Sequence, residues 1–74
     1  MRRYTVLLTP DRDEGGYTVT VPALPGAITE GDTLAEALEN ARLVIAELLA
    51  VMEADGVEIP EEDIEPTLRV IEVA

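Results

Sequence analysis

The stretch Gly15 to Glu36, GGYTVTVPALPGAITEGDTLAE, constrains this chain more than any other, because it sets a strand, a proline corner, a short extended piece and a helix start within 22 residues. Tyr17, Val19 and Val21 alternate with Thr18 and Thr20, the period of a half-buried strand. Pro22 and Pro25 cannot donate to a ladder, so Pro22-Ala23-Leu24-Pro25-Gly26 must leave that strand at an edge or corner. Leu24 then anchors the bend and Gly26 is free to take a positive φ. Ala27 to Glu30 reads as a third short strand, with Gly31 and Asp32 as the break before a helix. Thr33-Leu34-Ala35-Glu36 matches a capping box, in which the Glu36 amide donates to the Thr33 hydroxyl and the Thr33 amide donates to the Glu36 carboxylate.

The flanks follow from these joints. Residues 2–9 alternate Tyr4, Val6 and Leu8 with Arg3, Thr5, Leu7 and Thr9 and read as a first strand stopped by Pro10. Asp11 to Gly16 is a polar turn closed by the pair Gly15 and Gly16, so the first two strands form an antiparallel hairpin, with Tyr4, Val6 and Leu8 sharing a face with Tyr17, Val19 and Val21. From Leu34 the residues Leu34, Leu38, Ala41, Ile45, Leu48 and Met52 recur at helical spacing, an apolar stripe that covers one face of the sheet. Gly56 is the expected C′ residue, ending the helix near Ala54 or Asp55. Residues 57–66, VEIPEEDIEP, read as an irregular acidic connection. Residues 67–73, TLRVIEV, return to strand character with apolar side chains on both faces, and are expected to lie beside the first strand. The order is β-β-β-α-β: one α+β domain over residues 1–74, a mostly antiparallel sheet with one long helix packed on one face.

The far side of that helix is unusually apolar. At ~100° per residue, Leu43, Ala46 and Ala50 point away from the Leu38–Ile45–Met52 stripe, and small alanines permit close approach of another element. Two readings stand: a self-association or partner face, or ordinary exposed alanine with a scattered leucine, which soluble surfaces tolerate.

Size and charge bear on the choice. A chain of 74 residues is near the lower limit for a self-sufficient core, and with no Cys and no His it has neither a disulfide nor a histidine or thiolate metal site to reinforce it. Self-association is the remaining means, so a homo-oligomer is expected. Sixteen acidic against five basic residues give a net charge of −11, which opposes contact with nucleic-acid phosphates and favours a basic partner. No segment reaches membrane-spanning length and the start has no secretory apolar region, so the simplest address is the cytoplasm.

Chemistry is poorly provided for. Without His, Cys or Lys the chain lacks the usual bases, thiol nucleophiles and Schiff-base formers, and no acid pair is set apart in an apolar pocket. Asp11, Asp13 and Glu14 fail the calcium-loop spacing, since Pro22 stands where the bidentate glutamate belongs. Gly15-Gly16 does not open a helix and the GAITEGDT segment lacks a phosphate-loop lysine. No catalytic residue, cofactor or metal is expected.

Taken together, Gly15-Gly16-Tyr17, Pro22-x-Leu24-Pro25-Gly26 with Ala27, and Gly31-Asp32-Thr33 with Glu36-Ala37 resemble the HicB-like antitoxin family over about residues 3–60. The resemblance implies a small domain that binds and silences a HicA-type toxin, a basic ribonuclease that cleaves messenger RNA, and that assembles as dimers or tetramers. Full-length members carry a C-terminal ribbon-helix-helix or helix-turn-helix domain, which a sequence ending at Ala74 does not include, so direct operator binding is not expected of this stretch. The family offers no catalytic residue to transfer. The alternative function is an orphan oligomeric or ligand-binding module of the same fold with no toxin partner.

Overall fold

A computed structural model describes residues 2–63 and 65–74; Met1 and Ile64, the latter within the acidic connection, lie outside the described residues. Three strands, β1 (Leu7–Pro10), β2 (Tyr17–Thr20) and β3 (Ile28–Gly31), form an antiparallel sheet in the order β1-β2-β3, and one helix, α1 (Leu34–Ala54), packs across it. The register sets Leu8 opposite Val19 and Val19 opposite Thr29, which places Leu8, Val19 and Thr29 on one sheet face and Leu7, Thr20 and Ile28 on the other. The α+β class, the hairpin and the long helix are as the sequence dictates.

The hairpin turn is organised by Asp11. Its carboxylate accepts from the amides of Asp13 (2.9 Å) and Glu14 (3.2 Å), so the residue acts as an Asx-turn acceptor. Gly15 and Gly16 both sit at φ +76°, the left-handed region the turn requires, and the Asp11 amide closes it on the Gly16 carbonyl at 3.0 Å. At the proline corner the Leu24 amide donates to Val21 and the Ala27 amide to Leu24, each at 3.0 Å, while Gly26 takes φ +94°. Leu24 is fully buried there among Val21 and Ala27, so it anchors the bend.

Two strands differ from their sequence-based limits. The first was expected over 2–9 but pairs only over Leu7–Pro10. Its partner turns away at Val21 and Pro22, one residue beyond the Leu7–Thr20 pair, so residues 2–6 run without a strand opposite them. Pro10 ends β1 on the sheet edge, where its missing N–H costs no ladder bond. The larger correction is at the C-terminus: residues 67–73 form no strand, and Leu68, Val70, Ile71 and Val73 are exposed. Strand pairing needs a neighbour, and the connection before this segment is held elsewhere. The Tyr4 hydroxyl donates to the Pro60 carbonyl, and Thr5 donates to both oxygens of Glu62, from its amide and its hydroxyl, each at 2.6 Å.

Helix α1 begins where the cap requires. The Glu36 amide donates to Thr33 Oγ1 at 3.1 Å, and the Glu36 carboxylate accepts from Asp32, one residue before the expected Thr33 amide, at 3.4 Å. Thr33→Ala is therefore expected to lower stability by ~1 kcal/mol, with Thr33→Ser near wild type, as read by urea unfolding. The helix ends in a Schellman motif: Gly56 is at φ +69°, its amide donates to Glu53 (3.2 Å), and the Val57 amide donates to Met52 (2.9 Å).

The helix face is only partly the one periodicity indicates. Ala37 and Ala41 are buried against Val19, and Ile45, Leu48 and Leu49 pack against Val21, Leu24 and Ala27, whereas Leu34 and Leu38 are exposed. The cause is Gly31: a Cβ there would lie 2.4 Å from the Ala37 nitrogen and 2.6 Å from its Cα. Helix and β3 meet backbone to backbone at this crossing, which admits glycine and alanine and displaces leucine to the flank.

Candidate partner-binding surface

The buried core consists of Val19, Val21, Leu24, Ala27, Ala37 and Ala41, half of it alanine. Outside it, eleven large apolar side chains among the described residues are exposed, including Leu34, Leu38, Leu43 and Val51 on the helix and Leu7 and Ile28 on the open sheet face.

The sequence-singled residues divide into two groups. Gly15, Gly16, Tyr17, Gly31, Asp32 and Glu36 come together at one end of the sheet, where the first turn meets the helix start. Gly16 approaches the Gly31 carbonyl so closely that a Cβ would stand 2.6 Å from it. A shallow groove there carries five carboxylates, Asp11, Glu14, Glu30, Asp32 and Glu36, with Asn40 donating to the Glu30 carbonyl at 2.7 Å. Pro22, Leu24, Pro25 and Gly26 instead form the corner at the sheet's opposite end, and Thr33 caps the helix. Leu43, Ala46 and Ala50 are exposed on the outer helix face.

Few charges are neutralised internally. Arg42 pairs with Glu39 one turn earlier at 2.6 Å, which lowers the Glu39 carboxyl from its ordinary range and raises the guanidinium, and Arg2 approaches Glu61 at 3.9 Å. Apart from half-buried Glu62 the carboxylates are exposed, and the net charge of −11 leaves an unbalanced negative field. Among the described residues no group of carboxylates is arranged to hold a metal ion, and no helix is long and apolar enough to cross a membrane.

Sequence reasoning did not single out Glu62. The hydrogen bonds it accepts from the Thr5 side chain and amide hold its carboxyl below the usual glutamate range. A lowered carboxyl stabilises above its ordinary pKa, and the contribution is lost as pH falls through the lowered value. The Thr5 amide proton shift is therefore expected to titrate with a midpoint below that of an ordinary glutamate, and to lose that titration in Glu62→Gln. Its only signal in the sequence was an acidic run that reads as solvated connection.

A three-stranded antiparallel sheet backed by one capped helix, acidic and with apolar side chains exposed, defines a small single-domain arrangement of the α+β class. The chain matches the family described as HicB_like antitoxin of bacterial toxin-antitoxin system over residues 4–70, and belongs to that family. It is 41% identical over 63 residues to a UPF0150 protein of Thermoplasma acidophilum, covering 85% of this chain and 90% of that one. To Antitoxin HicB of Escherichia coli K12 it is 52% identical over 40 residues, 54% of this chain and 28% of the relative. To Antitoxin HicB 1 of Photorhabdus laumondii it is 56% identical over 39 residues, 53% of this chain and 24% of the relative. The matched region thus spans about a quarter of the antitoxins so named.

Proposed function

We propose that this chain is an antitoxin-type protein-binding domain, acting in the cytoplasm as an acidic homo-oligomer that occupies and silences a small basic HicA-type ribonuclease. The family match over residues 4–70 carries the reading. The charge of −11 supports it, since an acidic surface steers toward a basic nuclease and opposes that nuclease's RNA. The domain's role is to bind rather than to catalyse, and it contacts no nucleic acid directly. Its acidic groove, with Asp11, Glu14, Glu30, Asp32 and Glu36, is the surface a basic partner meets.

Affinity capture of the small basic protein encoded beside this gene tests the reading: retention at low salt that weakens as salt rises is expected, and absence of capture by every such neighbour overturns it. The outer helix face with Leu43, Ala46 and Ala50 serves self-association in the same scheme, and Leu43→Glu is expected to lower the assembled mass in light scattering.

One observation favours a second reading. The relative from Thermoplasma that matches over 90% of its length is named only as a UPF0150 protein, whereas the proteins named antitoxin match over about forty residues. A stand-alone oligomeric or ligand-binding module with no toxin partner fits that pattern, and a gene with no small basic neighbour would favour it.

A further inference from the structure

Residues 67–73 have the composition of a buried strand and the position of a free arm. Leu68, Val70, Ile71 and Val73 are 77%, 94%, 82% and 88% exposed. The Cα radius of gyration is 14.2 Å, against ~11 Å for a compact chain of this length, with extents of 48 × 27 × 19 Å. The arm does not take the place beside its own β1 that the sequence pattern assigns to it. Pro60 and Glu62 are tied to Tyr4 and Thr5, and Pro66 borders the same groove as Pro22 and Ala23, so the chain departs from the corner where β2 ends. Pro66 also biases the preceding residue toward extended backbone rather than a helical turn.

We propose that the arm is the fourth strand of a second copy of this chain, docked on that copy's β1 edge in reciprocal exchange. Four observations select this occupant. Within the described residues β1 pairs only with β2, so its other edge is open, whereas β3 is crossed closely by the helix and its Glu30 carbonyl is taken by Asn40. β1 presents Leu7 on one sheet face and Leu8 on the other, matching an arm with apolar side chains on both faces. The arm carries one Arg and one Glu, so it meets an acidic copy of the same chain without net repulsion of its own and offers no charge to attract a basic protein. Finally, because each copy has one arm and one open edge, the exchange closes on a two-fold axis and leaves neither unpaired.

The inference specifies how the oligomer proposed above is built, and rests on that part of the reading alone. It is tested by light scattering on the full chain and on Val70→Asp/Ile71→Asp, with Leu43→Glu measured alongside. The helix signal in circular dichroism checks folding. The arm variant is expected to halve the wild-type mass while keeping its helix signal. An arm variant with wild-type mass overturns the exchange but leaves the oligomer standing; a wild-type chain at its monomer mass of 8.0 kDa overturns both. In dimers mixed from differently isotope-labelled copies, intermolecular contacts between arm amides and those of Leu7 to Thr9 are expected. Contacts only between the two arms would overturn docking on β1 and would also explain any loss of mass in the variant.

Discussion

Gly31→Ala is expected to be the most damaging single-methyl change in this chain, lowering stability by about 1–3 kcal/mol or more and the melting temperature by roughly 5–20 °C. The added Cβ would lie 2.4, 2.6 and 2.9 Å from the Ala37 nitrogen, the Ala37 Cα and the Glu36 carbonyl carbon, all of them helix backbone. Backbone cannot swing aside as a side-chain tip can, so α1 must lift from β3 and loosen the contacts of Ala37 and Ala41 with Val19. Gly31 is not at positive φ, so the penalty is steric. Gly15→Ala is the useful contrast, because its site is open but sits at φ +76°, and its cost is dihedral alone, ~1–2 kcal/mol. Thermal melts at one protein concentration read both; a Gly31→Ala protein melting with wild type would remove the close helix–strand crossing from the description of the fold.

Leu24→Ala is expected to cost ~2–5 kcal/mol, a large share of the stability of a domain this size. Leu24 is one of the two large side chains that are fully buried, and it joins Val21 and Ala27 to Ile45, Leu48 and Leu49 of the helix. Removing it leaves a cavity under a corner bounded by Pro22 and Pro25, whose fixed φ angles resist collapse. Leu38→Ala, on a residue 44% exposed, is expected to change stability by less than ~1 kcal/mol. Urea unfolding midpoints separate the two, and comparable losses at both positions would contradict the placement of the core.

What the sequence discloses and what it conceals follow a physical division. The Thr33 cap, the Gly56 terminus, the Gly15-Gly16 turn and the Leu24 corner are set by backbone chemistry within a few residues, so each is readable in place. Periodicity shows that α1 has an apolar side but not how deeply each turn sits. Leu34 and Leu38 were therefore expected in a core that Ala37 fills, and only the approach of Gly31 reveals why. Strand extent is non-local in the same sense. Residues 2–6 and 67–73 have strand composition, yet one lost its partner at the Pro22 bend and the other is drawn away past Thr5 and Pro22. Glu62 looked like one more solvated acid because its partner is 57 positions away.

The proposed function joins self-association to capture of a basic partner at the acidic groove of Asp11, Glu14, Glu30, Asp32 and Glu36. The direct test is functional: the chain is titrated into a reaction in which the small basic protein encoded beside it cleaves messenger RNA. Cleavage is expected to fall in proportion to added chain and stop near equivalence, with Glu14, Glu30 and Asp32 changed together to the neutral amides requiring more chain for the same effect. Undiminished cleavage at excess chain would contradict the antitoxin-type function.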